Sequence, residues 1–140
     1  LDVSSWQSFG SRAIDHGVKL KSEVERLKSE GKKVIVYGAS GKGQSLLQFC
    51  KIDNSIVDCV IDKSEMKQGK YTPGTHIKIH GPDFIEESGA DIILLCAWNF
   101  AEEIMKKLIL LFLLIYSIGL KSQNLTLKID SFYSKVIDEN

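Results

Sequence analysis

The sequence predicts an α/β domain: an open parallel sheet flanked by helices. Three observations predict it. Short β-branched or aliphatic runs recur at KVIVY (Lys33 to Tyr37), between Ile56 and Ile61, and at DIILLCA (Asp91 to Ala97). Helix-length stretches separate them, and a glycine turn follows the first run without a spacer. Runs of this kind, apolar on both faces, are what a sheet covered on both sides by helices requires. The chain of 140 residues is long enough for one domain to bury a continuous core, so a single domain over 1–140 is expected.

Each element follows from local pattern. From Phe9 the residues Phe9, Ala13, Leu20, Val24 and Leu27 recur at helical spacing among charged residues, and Gly31 can end that helix in a left-handed cap. Lys33 to Tyr37 enters Gly38 as a buried strand. Lys42 to Cys50 forms the next helix, with Leu46, Leu47 and Phe49 available to pack on the sheet, and Ile56 to Ile61 forms the second strand, ending at Asp62. Strand, glycine turn, helix and strand make a right-handed βαβ unit, the repeating unit of Rossmann-like folds. Lys63 to Gly74 is polar and rich in turn formers, so it reads as a loop at the carboxyl end of the second strand. His76 to His80 is a short strand, Pro82 starts a brief helix, and Asp91 to Ala97 is expected to be the most buried strand before a further helix near Asn99. Beyond Ile118, the alternation of Leu125, Leu127 and Ile129 suggests an edge strand.

Composition excludes several classes of function. Lysine plus arginine and aspartate plus glutamate both number 18, so no global field draws the chain to nucleic acid or an anionic membrane, and an anion site must be local. Cys50, Cys59 and Cys96 are odd in number and lack C-x-x-C spacing, which points to a reducing, cytoplasmic setting. No signal peptide opens the chain, and its start at Leu1 suggests a trimmed sequence. The run LILLFLLI (Leu108 to Ile115) falls short of the roughly 20 apolar residues of a membrane helix and is expected to be a buried helix or strand.

The sharpest feature is Gly38-Ala39-Ser40-Gly41-Lys42-Gly43, set between a strand and a helix. Glycines there let the backbone approach an anion, while the helix start aims its N–H groups and dipole at it. Ser40 can donate its hydroxyl and Lys42 adds a point charge. The spacing is neither G-x-G-x-x-G nor a Walker loop, and a tight turn that binds nothing is the alternative. Asp62 stands where a Rossmann acid would meet a ribose, or else simply pairs with Lys63. Lys63, Lys67 and Lys70 surround a loop containing Tyr71, Thr72 and His76 and can contact a diphosphate, or form an ordinary solvated loop. A metal at His76, His80 and Asp83 lacks a ligand set fixed by spacing, and none is expected. Asn99, between Trp98 and Phe100, is placed to read a sugar or base at the crevice mouth.

Taken together, GKKVIVYGASGKGQSLLQFC, DKSEMKQGKYTPGTHIKIH and DIILLCAWNFAEEIM resemble the carboxy-terminal domain of the sugar C-methyltransferases of deoxysugar biosynthesis, over roughly Phe9 to Lys107. The resemblance implies full-length proteins with an amino-terminal zinc module, a central S-adenosylmethionine domain and this last domain. These methylate a carbon next to the keto group of a nucleotide-linked 4-keto-6-deoxysugar. It also implies that this domain binds no cofactor of its own and helps hold the nucleotide sugar. The contacts it carries over are Ser40 and Lys42 of the turn, Tyr71, Thr72 and His76 of the YTPGTHI loop, and Asn99 of WNF. The general base and the methyl donor then belong to domains absent from this chain, which alone is not a competent methyltransferase.

Two departures from the family pattern stand out. Gly41 replaces a common alanine, which loosens the turn. After Lys107 a glycine pair and a final strand are expected, but 108–140 is an atypical tail, as a shifted reading frame would produce. Such a tail leaves an apolar patch suited to a homodimer. Two rival functions remain open: a stand-alone dinucleotide- or coenzyme-A-binding module that uses the glycine turn and Asp62, and a ligand-free fold used for assembly.

Overall fold

A computed structural model describes residues 2–97, 99 and 101–117, with side chains described as far as 110. Among the described residues, four helices and four strands follow in the order α1 (Val3–Ser29), β1 (Val34–Tyr37), α2 (Gly41–Phe49), β2 (Val60–Ile61), β3 (Ile79–His80), α3 (Phe84–Ser88), β4 (Ile92–Leu95) and α4 (Ala101–Ser117). The sheet order is β3-β2-β1-β4, and every pair is parallel. Val36 sits opposite Val60 on one side and Leu94 on the other. The chain therefore winds outward from β1 through β2 to β3, then returns to place β4 on the other flank of β1. That reversal is the topological switch point at which open α/β sheets form a ligand crevice. The Rossmann-like α/β class read from the sequence is the observed one.

Helix α1 begins at Val3, six residues before the first of the periodic positions, because nothing from Val3 to Phe9 breaks a helix and Asp2 enters it in extended geometry. It ends as expected. Gly31 takes φ of 77°, and the N–H groups of Gly31 and Lys32 donate back to the carbonyls of Lys28 and Leu27. Only its carboxyl half packs on the core, through Gly17, Leu20, Val24 and Leu27; Phe9 is exposed, with Val3, Trp6, Ile14 and Val18.

Three other expectations are corrected. Strand β2 starts at Val60 rather than Ile56, because the Asp53 carboxylate accepts from the Ser55 N–H and hydroxyl, and the Asp53 carbonyl accepts from the N–H groups of Ile56 and Val57. That turn captures residues whose side chains are nonetheless buried. Leu47 is fully buried, whereas Phe49 is half-exposed, with its ring edge over Gly17 of α1. Strand β4 is not the most buried strand. All four of its residues are half-buried, because among the described residues it has a sheet partner only on the β1 side, while β1 and β2 are paired on both sides.

The core lies on both faces of the sheet. One cluster gathers Val34, Val36, Leu47, Ile52, Val57, Val60 and Ile77 beneath α1 and α2. The other gathers Ile35, Cys59, Ile61, Ile85, Ile104 and Leu108, so α4 covers the opposite face; the LILLFLLI run begins in that helix, but only Leu108 of its first three residues is buried, while Ile109 and Leu110 are exposed. No helix among the described residues is long and apolar enough to cross a membrane. The alternation at Leu125, Leu127 and Ile129 lies outside the described residues. All three cysteines are free and buried, and burial pushes the Cys59 thiol up to about 11 and the Cys96 thiol up to about 12.

At the amino edge of the sheet, Asp91 accepts from the Lys33 N–H at 2.8 Å and Asp58 from the Val34 N–H at 3.2 Å. Both satisfy donors at the start of β1 that lie outside the ladder. At the carboxyl edge the constraint is steric. Gly38 has φ of 105°, and a Cβ there would stand 2.6 Å from the Ala97 Cβ. Gly41 has open space around a built Cβ. Gly38→Ala should therefore destabilise the chain by about 2 kcal/mol or more, whereas Gly41→Ala should be neutral or stabilise it by roughly 0.5 kcal/mol. Urea unfolding of the two variants beside the parent checks the contrast.

Candidate functional site

The glycine turn leaves β1 at Gly38 and becomes α2 at Gly41. Ser40 is the N-cap of that helix, extended at φ −77° and ψ 159°, and its Oγ accepts from the Gly43 N–H at 3.1 Å. Capping uses a lone pair and leaves the O–H as a donor. Gly43 is required by contact, since a Cβ there would meet the Cys96 Cβ at 2.9 Å and the Gly38 carbonyl at 3.0 Å. The Gly41 and Lys42 N–H groups, in the first turn of α2, have no helical acceptors, and Lys42 is exposed beside them. This is the geometry of an anion cradle.

Asp62 holds the turn in place. It is buried at the end of β2, 8% exposed. One carboxylate oxygen accepts from the Ala39 N–H at 2.7 Å and lies 3.2 Å from the Lys67 ammonium; the other accepts from the Ser64 N–H at 2.9 Å. Lys67 also donates to the Ala39 carbonyl at 3.0 Å. The ion pair is thus with Lys67, in addition to whatever Lys63 contacts. Gln68 adds a bond from its amide to the Asp62 carbonyl at 3.1 Å. The loop from Lys63 to Lys70 is ordered by these contacts, and its exit pairs Tyr71 with Lys78 in an antiparallel bridge.

The YTPGTHI segment closes the other wall. Pro73 and Gly74, the latter at φ 77°, occupy the centre of a tight turn. The Thr72 and Thr75 hydroxyls lie 2.6 Å apart across it, and Thr72 Oγ1 accepts from the Ile77 N–H at 2.8 Å. Thr72 is 1% exposed, so its hydroxyl shapes the turn from within. The Gln48 amide donates to the Pro73 carbonyl at 2.9 Å and ties the turn to α2. His76 is exposed in the left-handed region, and the Thr75 carbonyl before it accepts from Asn54, so this end of the loop faces the α2–β2 connection.

Between these walls lies a cleft of about 280 Å³ lined by Ala39, Gly41, Gln44, Lys67, Lys70, Tyr71, Pro73 and Ile79. Through Ala39 and Gly41 it joins the glycine turn to Tyr71. Of the contacts expected from the sequence only Tyr71, beside the loop lysines Lys67 and Lys70, lines it; Gly38, Ser40, Lys42, Gly43, Asp62 and Thr72 lie behind or beside its walls, and neither His76 nor Asn99 reaches it, Asn99 being exposed beyond the end of β4. Among the described residues no group of three His, Cys, Asp or Glu side chains could hold a metal ion. His80 instead stacks on Phe84, with ring centroids 3.9 Å apart, and burial lowers its pKa.

The sequence reading missed Gln44. It is 8% exposed, and neither amide atom has a hydrogen-bond partner in the described structure. The available signal was its position one helical turn before Leu47, on the inward face of α2.

Fold and turn together define a Rossmann-like module with a glycine turn at the switch point. Comparison with known proteins then fixes the family. The model of the C-methyltransferase C-terminal domain matches residues 1–111, and the chain belongs to that family. It is 36% identical over 87 residues to the C-methyltransferase NovU of Streptomyces niveus, a match that takes in 62% of this chain and 21% of that protein. The chain therefore spans only about a fifth of the relative it matches.

The Asp62 contacts make a ranked prediction. Asp62→Asn turns one acceptor into a donor facing either N–H groups or the Lys67 ammonium and should cost about 2 kcal/mol. Lys67→Met removes a half-exposed partner and should cost less than about 1 kcal/mol. Denaturant unfolding that ranked the two in the reverse order would mean that the ion pair, rather than the backbone bonds, holds the turn.

Proposed function

We propose that this chain is the part of a C-methyltransferase that holds the nucleotide end of a nucleotide-linked 4-keto-6-deoxysugar while other domains perform the chemistry. The observation that carries the reading is the cleft that sets the start of α2 against Lys67, Lys70 and Tyr71. A diphosphate there meets the Gly41 and Lys42 N–H groups, the helix dipole and the lysine ammonium groups, while Tyr71 offers a flat apolar face. Ser40 donates its hydroxyl to the same anion. Gly38, Gly43, Asp62 and Thr72 act by holding the backbone in position, and His76 and Asn99 meet parts of the substrate or of the neighbouring domain beyond the cleft.

In this reading the methyl donor is S-adenosylmethionine, bound by a central domain together with the general base that removes the proton alpha to the ketone. The chain alone transfers no methyl group and carries no resident cofactor. Its setting is the reducing cytoplasm, supported by three buried, unpaired thiols. A homodimer through the apolar tail belongs to the same reading and predicts a concentration-dependent sedimentation coefficient.

Asp62 bears on the dinucleotide-module alternative. A Rossmann acid offers carboxylate lone pairs to the ribose, and here Ala39 and Lys67 take those of one oxygen and Ser64 one of the other, which leaves little acceptor capacity on this buried group. That favours a substrate site over a NAD or coenzyme A site.

Isothermal titration of the chain with thymidine diphosphate, a thymidine-diphosphate sugar, NAD and S-adenosylmethionine tests the proposal. Binding of the two thymidine ligands and silence with the other two is expected. Tight binding of NAD without the thymidine ligands would replace this reading with the cofactor module.

A further inference from the structure

Gln44 contradicts the economy of the rest of the domain. Its neighbours on α2 are either exposed or packed as expected, yet this side chain is more than nine-tenths buried with both its carbonyl oxygen and its amide nitrogen unpaired. Buried polar groups are nearly always satisfied, and an unsatisfied one destabilises the fold unless something else selects for it. The other two side-chain amides nearby behave normally, since Gln48 bonds the Pro73 carbonyl and Gln68 the Asp62 carbonyl. Of the three amides, only that of Gln44, a residue of the cleft wall, has nothing to bond, and its two polar atoms lie just behind the wall.

The rest of the lining says what kind of group would satisfy it. Ala39, Pro73 and Ile79 are apolar, Tyr71 is a largely exposed ring, and Lys67 and Lys70 carry the charge. Such a wall suits a flat ring with apolar faces better than a polyhydroxylated sugar, which would leave hydroxyls unpaired. An amide presents one donor beside one acceptor, and its complement is a ring edge carrying the same pair in reverse.

We infer that Gln44 is the base-reading residue of this cleft: its amide pairs with the donor–acceptor edge of a nucleobase stacked against Tyr71 and Pro73. The inference rests on the proposed nucleotide-sugar reading and adds to it the part of the ligand that Gln44 recognises. Because both amide atoms are shut off from solvent, the base reaches them once the cleft wall rearranges, and the exposed Lys70 is one lining residue free to move aside.

The experiment compares thymidine diphosphate with inorganic pyrophosphate on the full chain and on Gln44→Met, a swap of similar volume and shape. The parent should bind the nucleotide at least about tenfold more tightly than pyrophosphate, and the variant should lose most of that difference while binding pyrophosphate as before. Ligand-free Gln44→Met should also melt higher, by on the order of 3–5 °C, since an unpaired buried amide is removed. A probe that needs no variant is thymidine diphosphate methylated at N3, which blocks the pairing edge and should bind the parent about as weakly as pyrophosphate. Equal binding of the methylated and unmethylated nucleotides, or equal losses of nucleotide and pyrophosphate in Gln44→Met, would overturn the role of Gln44 and leave the diphosphate cleft standing. Silence of the parent toward both nucleotide and pyrophosphate would overturn both.

Discussion

One buried carboxylate joins the two halves of the candidate site. Asp62 takes the Ala39 N–H from the glycine turn and the Ser64 N–H from the following loop, and Lys67 bridges back from that loop to the Ala39 carbonyl. A glycine-rich segment loses much conformational entropy on ordering, so it needs such an anchor to present its N–H groups in one arrangement. With Gln48, which ties α2 to the Pro73 carbonyl, this anchor sets the spacing between the start of α2 and the Lys67 to Tyr71 wall. The cleft is a consequence of those two ties.

The same logic distributes aspartates along the sheet. Asp58 and Asp91 satisfy backbone donors at the amino edge, where β1 begins, and serve the fold alone. Asp62 performs the same task at the carboxyl edge, where the switch point between β1 and β4 opens the sheet. Three acids of one chemical type thus differ in consequence because of the edge they occupy. Gly38 and Gly43 complete the arrangement by letting the β4 exit, at Cys96 and Ala97, approach closer than any side chain would permit.

Much of this was legible in the sequence. The β-branched runs, the glycine turn and the polar loop specified the βαβ order, because each is a local pattern that tertiary packing reinforces. What sequence could not give was competition between local bonds and the sheet. Ile56 and Val57 read as strand because their apolar character is genuine, but the Asp53 turn claimed their backbone first. Strand β4 read as the most buried because burial was inferred from hydropathy, whereas its place in the sheet order depends on how the chain returns from β3. At the site, the glycine turn was readable from spacing. The engagement of Asp62 by Ala39 and Lys67 was not, since that contact depends on the angle at which the loop leaves β2.

The division of labour in the cleft follows from which groups are fixed and which can move. The turn is bonded to buried Asp62, and the Thr72 hydroxyl is bonded within its own turn, so both walls present their backbone groups with little reorganisation. Tyr71 and Lys70 are exposed and able to adjust to a ligand. Gln44 belongs to the fixed set by burial but lacks the bonds that fix its companions. A rigid polar group left unpaired costs stability continuously, and no part of the fold draws on it. On the inference drawn above, such a group weakens the empty domain and strengthens the occupied one, which is the behaviour that separates a recognition residue from a structural one.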